Sequence, residues 1–285
     1  MRVLVIGASG FIGNYLLDSL KGKHEVFGTS AHGNNFEILD IAELGKASKF
    51  LNKTSPDAIL LPAGITSLDY IEKHPTETAR VNVLGTENIA EYCKANGCRL
   101  VFFSSDSVFD GTKGPYSENY KPNPINAYGK QKLEAENFVK KLDDFAVIRT
   151  SSVYGWDKKK LNFVSRLIES LRNNKEFKAP VDQLYTPTYA VDLAKAALRL
   201  LDKKYKGIYN AAGPDFISRF EIALKACGIF SLDRKLVVPV RSSELNQSAD
   251  RGKRNGLLNK KIVKELGIKF YNIEEGLKDM KRHEK

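Results

Sequence analysis

Short apolar runs alternate with longer amphipathic segments through the first two thirds of the chain. Residues 2–7 (RVLVIG) read as a buried strand. Phe11 to about Lys21 reads as a helix, with Leu16, Leu17 and Leu20 at helical spacing. Further strand-like runs lie at 24–30, 57–64, 98–106 and 145–155, and helical spacing returns at 79–95 and 126–141. Strands that are apolar throughout, rather than at every second position, are buried on both faces. Joined by helices, they form a parallel sheet covered on both sides, so the pattern predicts an α/β, doubly wound architecture. Past Gly155 the alternation loosens. Segments 162–173 and 191–201 read as helices, 207–213 as one more strand, and 259–266 and 273–282 as amphipathic segments. The charged end, Lys281–Lys285, is expected to fray.

Composition narrows the class. The 285 residues are 42% hydrophobic and 28% charged, which suits a folded domain and excludes wholesale disorder. No apolar run approaches the ~18 residues of a membrane helix, so no membrane partner is expected. The first apolar run passes straight into glycines, without the long apolar core and cleavage site of a signal peptide, and a cytoplasmic address is expected. Cys93, Cys98 and Cys227 are odd in number, which fits a reducing compartment. They and the four histidines show no ligand spacing, and no metal is expected. Forty-five basic against 34 acidic residues give a net charge of +11. With no arginine-rich tail or aromatic-interleaved basic stripe, this reads as a lysine-rich solvated surface, and no nucleic-acid partner is expected. Attraction of small polyanions is the other reading.

Three motifs carry chemistry. Gly7-Ala-Ser-Gly-Phe-Ile-Gly13 follows a strand and opens a helix. Glycines there allow a tight turn and close approach of a pyrophosphate, and the helix start offers free N–H groups. This predicts a dinucleotide site of the Rossmann type, with G-x-x-G-x-x-G spacing. Tyr128 and Lys132, four apart, share one face of a helix. A free phenol titrates near ~10, and a neighbouring ammonium favours phenolate, which pulls that value toward neutrality. Such a phenol exchanges a proton with a substrate oxygen. Ser104-Ser105-Asp106 ends a strand, where a hydroxyl can meet the phenol; alone, Ser105 would read as a strand-end cap. The candidate catalytic residues are Ser105, Tyr128 and Lys132. At the end of the second strand, Gly28-Thr29-Ser30 carries no carboxylate to bind a ribose 2′-hydroxyl or repel a 2′-phosphate, and His32 or Lys23 lies near in sequence. NADP, as preferred NADPH, is therefore the expected cofactor, with NAD possible.

GASGFIG at 7–13, LPAG at 61–64, RVNVLGTENIA at 80–90, PYSENYKPNPINAYGKQKLEAE at 115–136 and RTSSVYG at 149–155 resemble the extended short-chain dehydrogenase/reductase superfamily over essentially the whole chain. SSDSVFDG (104–111), TSLD (66–69), VDQLYTPTYAVDLA (181–194) and RGKRNGLLN (251–259) are most similar to its dTDP-4-dehydrorhamnose reductase group. The resemblance implies a dinucleotide-binding domain, 1–155 plus 189–212, and a smaller C-terminal α/β substrate-binding domain, 156–188 plus 213–285. The site would lie between them. It implies cofactor contacts from Gly7, Ser9, Gly10, Phe11, Ile12, Gly13, Thr29, Ser30, Asp40, Ile41, Pro62, Ala63, Gly64, Tyr128 and Lys132. Read without it, Asp40 is equally a helix N-cap before 42–46. It implies substrate contacts from Asp69, Ser105, Asp106, Ser107, Tyr128 and Arg251. NAD(P)H would deliver hydride to C4 of a nucleotide-linked 4-keto sugar. Tyr128 would donate the proton, Lys132 would hold the nicotinamide ribose, and Ser105 would bind the carbonyl oxygen.

Departures fall on the substrate side. The group usually has Thr where Ser105 stands, Tyr at Ser107, Lys at Tyr70, and Pro and Ser at Gly252 and Gly256. The reaction type is thus better defined than the sugar. Arg251 and Arg254 read either as a diphosphate grip or as a solvated loop. Asn162 and Arg166 open a helix that faces the nucleotide or only solvent. Trp156 either lines the pocket or plugs a domain interface. Cys93 reads as inert helix packing. Two other functions share the pattern: a nucleotide-sugar epimerase that retains NAD, and a non-enzymatic regulatory protein like the methionine adenosyltransferase beta subunit. Homodimers are common in the superfamily.

Overall fold

The computed structural model describes residues 1–33 and 35–284; Lys285, the last of the charged end, lies outside the described residues. The chain runs β1 (Arg2–Ile6), α1 (Phe11–Leu20), β2 (Glu25–Ser30), β3 (Glu37–Ile38), α2 (Leu44–Thr54), β4 (Ala58–Leu61), α3 (Leu68–Lys73), α4 (Pro75–Ala79), α5 (Gly85–Asn96), β5 (Arg99–Ser105), α6 (Ala127–Val139) and β6 (Phe145–Thr150). It continues with β7 (Val153–Tyr154), α7 (Phe163–Arg172), β8 (Phe177–Pro180), β9 (Leu184–Tyr185), β10 (Thr188–Tyr189), α8 (Ala190–Lys203) and β11 (Gly207–Asn210). The last part holds β12 (Ile217–Ser218), α9 (Arg219–Phe230), β13 (Val237–Val240), β14 (Arg254–Asn255), α10 (Lys260–Leu266) and α11 (Ile273–Arg282).

Seven strands pair in parallel in the order β11-β6-β5-β4-β1-β2-β3. The apolar runs explain the double cover. Val3 and Val5 of β1 point into one core, with α1 and α8; Leu4 and Ile6 point into another, with α2, α5 and α6. Strand order reverses between β1 and β4, which opens a crevice at the carboxyl ends of the strands.

The remaining elements cluster around a separate core, in which α7, α9 and α11 surround Leu167, Ile168, Ile222, Leu277 and Met280. Residues 260–270, grouped above with the substrate side, do not join it: Ile262, Leu266 and Phe270 pack into the core of α1 and α8. The strand read at 145–155 breaks after Thr150, where Ser152 takes a φ of 43°, and β7 pairs instead with β10. The helix read at 79–95 enters through one π turn at Arg80–Leu84. Up to Glu284 the charged end is tied rather than frayed. α11 extends to Arg282, Lys281 Nζ donates to the Ile229 carbonyl at 2.5 Å, and Arg172 pairs with Glu284.

Candidate active site

The crevice begins at the turn between β1 and α1. Gly7 sits at φ 92°, in left-handed space, and a Cβ there would lie 2.9 Å from Ala63 Cα, so no side chain fits. Gly10 caps α1 without a side chain, and the first turn holds no acidic residue. The leading N–H groups of α1 therefore lie beside a backbone-walled cradle with positive potential, which fits a pyrophosphate. Ser9 Oγ donates to Ser30 Oγ at 2.8 Å, and the His32 N–H donates to the same hydroxyl at 3.2 Å. Thr29 is fully enclosed, and its carbonyl accepts from Gly7 and Ala8, so its part is to hold the turn. Asp40 accepts from the Ala42 N–H at 2.9 Å and pairs with Arg80 at 3.3 Å. It closes a turn ahead of α2, whose N-cap is Glu43. Ile41 is buried.

Past β4, Pro62, Ala63 and Gly64 line the other side of the switch point, at a position pinned by a residue the sequence did not single out. The π turn aims Asn82 at this loop. Its Oδ1 accepts from the Ile65 N–H at 2.8 Å, and its Nδ2 donates to the Ile65 carbonyl and to Gln131 Oε1. A π turn in a helix frequently marks a functional position, but nothing in the local composition announces it.

Helix α6 carries Tyr128 and Lys132. Asn126 caps it, accepting from the Gly129 N–H at 2.8 Å, and its Nδ2 ties to the Asp250 carbonyl. Gly129 lets α6 rest directly on the turn after β5; a Cβ there would lie 2.0 Å from the Ser107 carbonyl oxygen. This contact sets the Tyr128 phenol close to Ser105 and Asp106, both of which act on its ionisation. Burial, then the charge of Asp106, pushes the Tyr128 phenol well above its ordinary value, against the Ser105 hydrogen bond. Lys132 Nζ donates to the Phe103 carbonyl at 2.9 Å and lies 6.0 Å from the Tyr128 ring centre. Burial lowers its ammonium to about 8, against the charge of Glu136. The expectation that Lys132 draws the phenol toward neutrality is therefore corrected. Both groups are desolvated, and desolvation opposes the charged form of each. Tyr128 stands as a protonated phenol.

Ser104 faces away, donating to Glu136 Oε1 at 2.6 Å, while Glu136 and Arg149 form a two-pronged buried pair at 2.6 and 2.8 Å. The adjacent serines thus divide their tasks: Ser104 is structural and Ser105 faces the phenol. Asp106 Oδ1 accepts from Ser105 Oγ at 2.9 Å, and Ser107 donates its N–H to Ser105 Oγ at 3.2 Å.

On the opposite wall, Asp69 and Arg251 hold each other through contacts of 2.8 and 3.1 Å, and Asp69 also accepts from the Ser248 and Ala249 N–H groups. The Arg251 hydrogen bond is the main influence that holds the Asp69 carboxyl below its ordinary value. Arg254 lies over the Phe216 ring. The sequence missed Arg219. Its guanidinium is sandwiched between the rings of Phe163 and Tyr185, at 4.9 and 4.8 Å from their centres. Arg166 is one helical turn beyond Phe163, and burial together with the charges of Arg219 and Arg251 lowers its pKa. Among the described residues no carboxylate pairs with Arg166 or Arg219. Trp156 is bound up elsewhere: its Nε1 donates to the Met280 carbonyl at 2.7 Å, and Tyr15 donates to its carbonyl, so it plugs an interface. Asn162 caps α7 and donates to the Gly155 carbonyl. No group of three or more metal-ligating side chains is found among the described residues, and no helix is long and apolar enough to cross a membrane.

A doubly wound sheet, a glycine cradle at its switch point and a serine–tyrosine–lysine trio define an oxidoreductase of the short-chain dehydrogenase type. The match of residues 1–285 to the family model described as RmlD substrate binding domain places the chain in that family. Among solved structures, it is similar to a dTDP-4-dehydrorhamnose reductase of Clostridium acetobutylicum, with TM-score 0.91 and 32% identity over 99% of each chain. It is also similar to the Bacillus anthracis reductase solved in complex with NADP, with TM-score 0.92 and 28% identity over 99% of each chain. The methionine adenosyltransferase 2 subunit beta of Xenopus tropicalis is 32% identical over 251 residues, which cover 84% of this chain and 75% of that protein.

Proposed function

We propose that this chain reduces the 4-keto group of a nucleotide-linked deoxysugar with NAD(P)H, with dTDP-4-dehydrorhamnose as its substrate. The observation that carries this is the convergence of Tyr128 and Lys132, with Lys132 Nζ 6.0 Å from the Tyr128 ring centre and next to Gly64 of the switch-point loop, and with burial keeping the phenol protonated. A protonated phenol is what a carbonyl reduction needs as proton donor. The backbone of residues 7–13 would hold the cofactor pyrophosphate, and Lys132 Nζ would meet the nicotinamide ribose. When bound, the reduced nicotinamide supplies the hydride. Ser105 would donate to the carbonyl oxygen and hold it against Tyr128, which gives its proton to the nascent alkoxide. Arg166 and Arg219, neither in an ion pair with a carboxylate among the described residues, suit a diphosphate. NADPH is the preferred cofactor in this reading. No carboxylate closes the end of β2, and a relative of the same fold is solved with NADP.

The test is oxidation of NADPH in the presence of dTDP-4-dehydrorhamnose, for wild type and Tyr128→Phe. Turnover that collapses in the variant supports both reaction and proton donor. Equal or better catalytic efficiency with NADH would overturn the cofactor preference. The similarity to the methionine adenosyltransferase subunit favours a second reading, as a subunit of such an enzyme. Co-purification with a methionine adenosyltransferase, together with NADPH binding but no reduction, would select it.

A further inference from the structure

A phenol that gives up its proton must recover one before the next turnover, and a buried carboxyl group sits one hydroxyl away. Asp106 is 5% exposed. Its Oδ1 accepts from Ser105 Oγ at 2.9 Å and its Oδ2 from Ser151 Oγ at 2.6 Å. The Ser105 hydroxyl also acts on the Tyr128 phenol, favouring its ionised form, so it stands between phenol and carboxyl. The charged and titratable groups that face Asp106 are Arg219, from α9, and Tyr128, from α6. Among the described residues no lysine or arginine forms an ion pair with it. Burial lifts this carboxyl to about 6, against the opposing pull of Ser151, Ser105 and Arg219. A carboxyl in that range exchanges its proton close to neutrality.

We propose that Asp106 is the proton store that reloads Tyr128 through Ser105. The Ser105 O–H bond breaks as its proton joins the phenolate oxygen. The Asp106 O–H bond breaks as its proton joins Ser105 Oγ, and each bonding pair stays on the oxygen that lost the proton. Ser105 ends as it began. Asp106 ends as a carboxylate and takes its next proton from solvent after the product has left. Over one cycle the carbonyl gains one hydride and one proton, and one solvent proton is consumed. Ser105 and Asp106 already stand at hydrogen-bond distance, so the Asp106-to-Ser105 transfer reverses an existing hydrogen bond without moving a chain element.

The proposal rests on the reductase reading, and its test separates the two. With saturating reduced cofactor, kcat and KM are measured across pH for wild type, Asp106→Asn and Ser151→Ala. Wild-type kcat is expected to fall as pH rises through the ionisation of Asp106, because the store is loaded below it. Asp106→Asn is expected to lose at least about tenfold in kcat, with the inflection gone. Ser151→Ala removes a bond that favours the carboxylate, so the inflection moves to higher pH. A second readout needs neither substrate nor cofactor: the ultraviolet absorbance of phenolate, titrated with and without Tyr128→Phe to isolate that phenol. Removing the Asp106 charge is expected to let Tyr128 ionise at lower pH. An unchanged kcat profile in both variants, or an unshifted phenol, overturns the store and leaves the reductase standing. If Asp106→Asn does not fold, a stationary inflection in Ser151→Ala overturns it alone. A wild type that turns over no keto sugar nucleotide overturns both.

Discussion

The two walls of the cleft are made of different material. The cofactor wall is backbone: a glycine turn, an uncapped helix start and the ends of parallel strands. Its shape follows from where side chains are missing. The opposite wall is side chain: Arg166, Arg219, Arg251 and Asp69, brought together from α7, α9, the tail and α3. Its shape follows from which charges are paired and which are left over. The first kind of wall constrains the type of cofactor tightly. The second can exchange one ligand for another by changing a few side chains, and this is where the chain departs from the dTDP-4-dehydrorhamnose reductase pattern.

Variants at each wall should therefore fail differently. Tyr128→Phe, at the junction of the walls, should show the largest effect, a loss of about 10²–10⁴ in kcat. Cofactor affinity measured by fluorescence titration should be retained; loss of both would move Tyr128 into the fold rather than the chemistry. Gly7→Ala should come next. A Cβ at φ 92° and 2.9 Å from Ala63 Cα forces the turn open, and cofactor affinity should fall by more than about tenfold, given ~1–2 kcal/mol for the left-handed strain alone. Wild-type binding in that variant would dissolve the contrast between the walls. Arg219→Ala should do the reverse. Removal of a charge-assisted contact of ~1.5–3 kcal/mol should raise KM for a sugar diphosphate by about 10–100-fold, with cofactor affinity unchanged. Equal KM changes for diphosphate and uncharged sugar substrates would sink the anion assignment.

The smallest effect is expected at Asp69→Asn. The pair is partly exposed, with 40% of the Asp69 side chain accessible, so its contribution is no more than about 1 kcal/mol. The folded-state carboxyl is depressed. Its stabilisation is therefore present above the ordinary carboxylate pKa and lost as pH falls through the depressed one. Thermal melts of wild type and variant should differ slightly at neutral pH and converge in strong acid. A gap that widens in acid would reverse the assignment.

The contrast also explains what could be read without coordinates. The apolar runs of β1, β4, β5 and β6 are local signals, and the glycine turn is a contiguous one, so the sheet and the cofactor wall were legible. Tyr128 and Lys132 lie one helical turn apart, so their pairing was legible too, but the sign of the phenol shift was not. That sign depends on burial under a loop and on Asp106, neither of which is a spacing. Arg219 was invisible because its meaning lies in aromatic rings brought to it from α7 and β9. The capping box of Ser218 and Glu221 that opens α9 was in the sequence and would have located that helix. The break after Thr150 had no such signal: the run stays apolar and polar by turns while the strand leaves one sheet for another.

The tail is stitched across the cleft near residues 251–258. Arg254 donates its N–H to the Gly111 carbonyl, Ser151 donates to the Asn255 carbonyl, Tyr116 donates its N–H to the Gly256 carbonyl, and Asn210 reaches the Leu258 carbonyl. These stitches give the site a schedule during synthesis. A growing chain emerges N-terminus first, so the glycine turn and its neighbouring strands leave the ribosome long before these residues do. The two walls are therefore not finished together: the glycine cradle has its parts early, while the opposite wall waits for residues 251–258.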